Sequence, residues 1–153
     1  MVECTIGAVQ LLEELYTTKF NYPTTPITVS YETSFASELA KADEGIKNAV
    51  VEFHKTLIEK GFSGLPGRNK PSWIMPRHIT DKAAKKQFAT EHCLHHYHIG
   101  VPNYTPSSNG GVSDKYLHYQ LFTNEDGEME ARFVGIDNHN PFKPPEQSRL
   151  VKP

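Results

Sequence analysis

The segment from Glu91 to Gly100, EHCLHHYHIG, carries His92, His95, His96 and His98, half of the eight histidines in the chain. Imidazoles this concentrated can do two kinds of chemistry. They can ligate a metal, as an HxH pair does once a third imidazole joins it. They can also carry protons, because an unperturbed imidazole has a pKa of roughly 6.5 and changes charge near neutral pH. The choice turns on the direction each ring faces, and so on the element that carries it.

From His92 onward the apolar period is two, and strands are expected near 92–101, 115–123 and 129–136. Side chains of a strand alternate between its faces, so parity sorts them. In 115–123 the odd positions Leu117, Tyr119 and Leu121 form the core set, leaving Tyr116, His118 and Gln120 on the other face. In 92–101 the odd positions Cys93, Tyr97, Ile99 and Val101 face the core, with His95 the exception. His96, His98 and His118 are therefore expected together on the open face of one sheet. In the third strand Ala131 and Phe133 put Arg132 on that same face, whereas Val134 and Ile136 favour the opposite parity. The two patterns conflict, and parity leaves this strand open.

Three imidazoles on neighbouring strands are a workable zinc set, but a metal site needs closed geometry that parity does not supply. No cysteine is placed to help, and no HExxH, G-x-G-x-x-G or P-loop motif occurs. Cys4 and Cys93 have no positioned base, which argues against a thiol nucleophile, and they form no CxxC knuckle or disulfide framework. A bound metal is therefore the less favoured reading and no cofactor is expected; singly, each of these histidines also reads as an ordinary half-exposed strand residue.

The elements that must hold this strand region precede it. Residues 6–20, IGAVQLLEELYTTKF, have helical spacing, and NYPTTP breaks it. ITVSY at 27–31 reads as a short strand. Thr33 or Ser34 can cap a helix over Phe35–Lys41, and Asp43 can cap the next. In that second helix Ile46, Val50, Phe53 and Leu57 recur at the spacing of one buried face, and Gly61 stops it. Residues 62–80 are rich in Pro and Gly and read as a long loop, 81–91 as a short basic helix. The expected fold is α+β: a small antiparallel sheet, one N-terminal strand plus a three-strand meander, with helices packed on one face. A single domain spans 1–153, with a helical extension at 1–26, a core at 27–142 and an irregular, proline-rich tail at 143–153.

The chain has 153 residues, 37% hydrophobic and 22% charged, with a net charge of −2. No apolar run approaches the roughly 20 residues of a membrane helix. No basic, apolar leader opens the sequence, so a soluble, cytoplasmic protein is the expectation. The charge is uneven. Lys60, Arg68, Lys70, Arg77, Lys82, Lys85 and Lys86 face only Asp81 across residues 60–86. Such a segment can meet phosphates, or simply form a solvated loop and helix face.

The stretch ARFVGIDNHNPF ends a strand on His139, with Phe142 shortly after. With this stretch, ITVSYETSFASELAKADEGIKNAVVEFHKTLIEKG, HHYHIG and SDKYLHYQLF, in that order and spacing, residues 27–142 resemble the RelE-like toxins of bacterial toxin–antitoxin systems, within them the YafQ and YafO types. The resemblance implies an endoribonuclease (an mRNA interferase) that cuts mRNA on the ribosome and is held inactive by an antitoxin protein. It implies a site of His98, Asp114, His139 and Phe142. His98 and His139 would divide the acid and base roles, Asp114 would orient an imidazole or act as a base, and Phe142 would stack on a base of the RNA. Asp114 also reads as a turn residue, and Phe142 as a plug over the sheet edge. Lys115 and Arg132 are candidates for stabilising phosphate charge, and His96 and His118 for contacting RNA. The helix at 6–20, the loops at 62–80 and 102–114 and a pI near 6.4 depart from the family's compact, basic form. Two other readings stand beside this one: a gyrase-inhibiting toxin of the related ParE type, and a non-catalytic metal- or ligand-binding module using the HxH pair.

Overall fold

A computed structural model describes residues 22–108, 110–138 and 143–153. The expected helix at 6–20 and two of the expected site residues, His139 and Phe142, lie outside the described residues. The elements in chain order are β1 (Thr28–Tyr31), α1 (Thr33–Ala40), α2 (Glu44–Lys60), β2 (Asn69–Pro71), α3 (Lys82–Glu91), β3 (Leu94–His98), β4 (Lys115–Thr123) and β5 (Met129–Asn138). A 3₁₀ turn, Gln147–Arg149, lies in the tail. The fold is α+β, as expected, but its sheet has five strands in the order β1-β5-β4-β3-β2, with β1 parallel to β5 and the rest antiparallel. The additional strand, β2, lies in the stretch read as a loop. Its three residues end in Pro71 and pair only with β3 at the sheet edge, a place where proline's missing N–H does no harm.

The helical spacing of α2 does what it predicts. Val50, Phe53 and Leu57 are buried against Leu117, Tyr119, Leu121, Ala131 and Phe133, with Ile46 packed beside them. Phe53 is the centre of this layer, stacked on Tyr97 with ring centroids 4.1 Å apart and on Phe133 at 5.4 Å. Gly61 ends the helix at φ +65°, its N–H donating to the Leu57 carbonyl. A Cβ there would also meet the carbonyls of Pro23 and Thr25, so only glycine fits. At α1 the cap is Glu32 rather than Thr33 or Ser34: its carboxylate accepts from the Ser34 and Phe35 N–H groups at 3.0 and 2.8 Å.

The conflicting parities of β5 are both correct. Gly135 pairs with His118 and Phe133 with Tyr119, so Val134 is an extra residue opposite the His118–Tyr119 step. This β-bulge switches the facing of the strand. Ala131 and Phe133 before it, and Ile136 after it, all reach the α2 side. On the other face, Arg132 precedes the bulge and Asp137 follows it.

That other face is not open. α3 lies against it, with Ala89 and Leu94 packed on Trp73 in a second apolar cluster. The tail covers the remainder and is held at one side chain in particular. Gln120, fully buried, donates from Nε2 to the His92 and Val151 carbonyls, each at 2.7 Å, and accepts at Oε1 from the Val151 N–H and Arg132 Nη1. Arg149 adds ion pairs of 3.2 Å to Glu32 and 3.1 Å to Glu38. Among the described residues no helix is long and apolar enough to cross a membrane.

Candidate active site

The strand alternation places His96, His98, Tyr116 and His118 on one face, on adjacent strands in register: His96 opposite His118, and His98 opposite Tyr116. Their rings touch in sequence. Centroids are 6.2 Å apart for His96 and His98, 5.5 Å for His96 and Tyr116, and 4.9 Å for Tyr116 and His118. The grouping of His96, His98 and His118 is the one parity predicts. Their burial is not, because His96, His98 and His118 are only 6%, 3% and 0% exposed. The covering of this face by α3 and the tail makes the difference.

His98 ends β3 and is held by backbone. Its Nδ1 lies 3.0 Å from the Ser113 N–H and 2.9 Å from the Ser113 carbonyl, so in either tautomer Nδ1 is engaged there. Gly67 packs against the same strand end, where a Cβ would collide with the His98 carbonyl oxygen. His95, of opposite parity, belongs to the core: Nδ1 meets the Tyr22 hydroxyl at 2.8 Å, and burial holds its pKa down at about 3.

Electrostatics on the face favour a neutral His96 and a protonated Tyr116. Burial pushes His96 well below its ordinary value, and the neighbouring His118, Lys70, His98 and His95 push the same way. Tyr116 is pushed up to about 12 by burial, with the Asp137 charge adding to it and the Lys143 backbone opposing it. Asp137 stands 3.4 Å from His118 Nε2, a carboxylate able to orient that ring or take its proton. Lys70, opposite His96 on β2, brings a cation whose pKa is lowered by burial and by Arg68.

The other expected site residues distribute as follows. Asp114 is exposed, just before β4. Lys115 begins β4 with the parity of Leu117, so it belongs to the opposite face from the imidazoles, and its ammonium donates to Asn138 Oδ1. Arg132 shares the imidazole face but is committed to the tail, through Gln120 and the Arg149 carbonyl at 2.8 Å. Neither Lys115 nor Arg132 is therefore placed as the cation of this cluster, whereas Lys70 is. Asp137, Tyr116 and Lys70 are the members that sequence reasoning missed. Tyr116 was visible by parity beside His118. Asp137 was concealed by the bulge, and Lys70 by a strand whose Pro- and Gly-rich surroundings read as loop.

Beside the imidazoles the face opens into a groove of about 800 Å³. His96, His118, Lys70 and Ser72 form its polar floor, α3 contributes Lys85 and Phe88, and Pro144 and Pro145 of the tail close one side. Among the described residues no group of three or more His, Cys, Asp or Glu is arranged to hold a metal ion. Against the expectation of no disulfide framework, Cys93 is disulfide-bonded; it is also buried, so it offers no thiolate. No protein-family model, curated protein or solved structure matches this chain.

Proposed function

We propose that this protein is a RelE-like toxin of a bacterial toxin–antitoxin pair, an endoribonuclease that cleaves mRNA by histidine acid–base catalysis. The observation that supports it best is the shared face of His96, His98, His118 and Tyr116, with Asp137 against His118. That face lies beside the strand whose next residue in sequence is His139. RNA cleavage needs a base to take the 2′-hydroxyl proton as that oxygen attacks phosphorus. It needs an acid to protonate the departing 5′-oxygen, which leaves a cyclic phosphate, and a cation for the phosphate charge. Neutral imidazole suits the first role. His98, oriented by the Ser113 backbone at Nδ1, and His139 divide the two proton roles, and Lys70 supplies the charge. Phe142 stacks on a base of the RNA.

Its partners under this reading are mRNA, the ribosome and a cognate antitoxin, and its place is the cytoplasm. The cytoplasm is reducing, so activity there requires that cleavage survive in a reducing medium. The test is translation in a purified system with and without the protein, under reducing conditions, with primer extension to map cuts. Discrete cuts that appear with wild type and vanish with His139→Ala support the reading. Unbroken mRNA in a system that the protein fails to arrest refutes it.

A further inference from the structure

We propose that the groove between α3 and the sheet is a subsite for one unstacked nucleotide of single-stranded RNA, so that the protein grips its substrate directly, without the ribosome. The proposal takes its substrate from the nuclease reading and adds to it a binding site that the reading does not require.

Three observations converge on it. The first is charge. Among the described residues, the titratable side chains lining the groove are Lys70, His78, Lys85, His96 and His118, with no carboxylate among them. An anion is the fitting occupant, and the sequence as a whole is slightly acidic, so the basic lining is local rather than a reflection of composition. The second is shape and surface. A cavity of about 800 Å³ falls within the roughly 300–1,000 Å³ of sites that enclose small organic ligands. Its walls include the half-buried ring of Phe88 beside Ile74, Met75 and Ile79, flat and apolar enough to receive a base. The third is position. His96 and His118 form the floor of the groove, and His98 stands next to His96. A base seated against Phe88 would leave its phosphate by Lys70 and Lys85 and the adjoining linkage near His98. A base on an aromatic wall with lysines tracking the backbone is the general arrangement of single-strand binding.

The chain carries its own reporter. Trp73, the only tryptophan, packs in the same cluster as Phe88, Ile74 and Leu94, all of which line the groove. The experiment titrates the full-length protein, without ribosomes, with a short single-stranded 2′-O-methyl oligoribonucleotide, which cannot be cleaved because its attacking hydroxyl is blocked. Tryptophan emission follows binding. We expect saturable binding that weakens with salt, and a loss of about tenfold or more in affinity for Phe88→Ala. Lys85 is exposed, so Lys85→Glu tests the charge without opening the core. It should weaken binding and flatten the salt dependence by the share of one phosphate contact, a slope change of roughly 0.7. A second arm uses adenosine 5′-monophosphate, which should bind far more weakly than the oligonucleotide. No binding at low salt, binding indifferent to both substitutions, or a mononucleotide that binds as tightly as the oligonucleotide each overturns the proposal. Binding that persists while unmodified RNA of the same sequence is never cut, either alone or in the translating system with ribosomes, upholds the subsite and refutes the nuclease reading instead.

Discussion

Removing the His98 ring should separate catalysis from folding. His98 is 3% exposed and its Nδ1 engages the buried Ser113 backbone. His98→Ala leaves that backbone group unsatisfied, at about 1–3 kcal/mol. In a chain of this size each kcal/mol lowers Tm by roughly 2–4 °C, so the variant should melt about 2–12 °C early. At room temperature it should still be folded, given a typical stability of about 5–15 kcal/mol. Cleavage should fall much further, because a general acid or base contributes about 10²–10⁴-fold, equivalent to roughly 2.7–5.4 kcal/mol of barrier. His98→Asn is the informative companion. Its amide stands near the place of Nδ1 and can keep the Ser113 bond, but nothing replaces Nε2. The asparagine variant should therefore recover most of the lost Tm and none of the lost activity. The assay is single-turnover cleavage of a defined RNA at 25 °C, run beside thermal melts of all three proteins. Cleavage by His98→Asn within about threefold of wild type would refute the assignment of a proton-transfer role to Nε2.

The other expectations follow from the same geometry. Phe53→Ala removes a ring that is 2% exposed and stacked on Tyr97 and Phe133; it should cost about 3–5 kcal/mol, and urea unfolding that moves by less than about 1 kcal/mol would contradict the packing described. Acid should destabilise the protein: folded His95 resists its proton down to about 3, against an ordinary 6.5, and His96 shifts the same way. The unfolded chain then binds more protons below about pH 6.5, so stability is lost as pH falls through that window by up to about 1.4 kcal/mol per unit per group. The lowered carboxyl pKa of Glu32 acts with the same sign, but only below about pH 4.5, so a Tm level between about pH 7 and pH 4.5 would contradict the two histidine shifts. Cleavage should persist in EDTA; loss in chelator with recovery on added zinc would return the HxH pair to metal ligation. In cells, expression without an antitoxin should halt growth and His139→Ala should be tolerated, whereas full toxicity of His139→Ala would leave the gyrase-inhibiting alternative as the one to test.

The sequence by itself determined what local periodicity can encode. The apolar spacing of Ile46, Val50, Phe53 and Leu57 set the buried face of α2, and Gly61 set its end. The two-residue alternation of β4 put Leu117, Tyr119 and Leu121 in the core and so gathered His96, His98 and His118 on the opposite face. The tertiary structure decided what depends on partners distant in the chain. Val134 becomes a bulge only because β5 must pair with β4 in one register, and that shift alone brings Asp137 to His118. Lys70 faces the imidazoles because Asn69–Pro71 finds an edge on β3, a pairing that three residues with a terminal proline cannot announce. The same holds for burial: strand parity says which residues share a face. Whether that face meets water or lies under α3 and a tail held by Gln120 and Arg149 is settled by contacts between segments far apart in the chain, for which no local pattern exists.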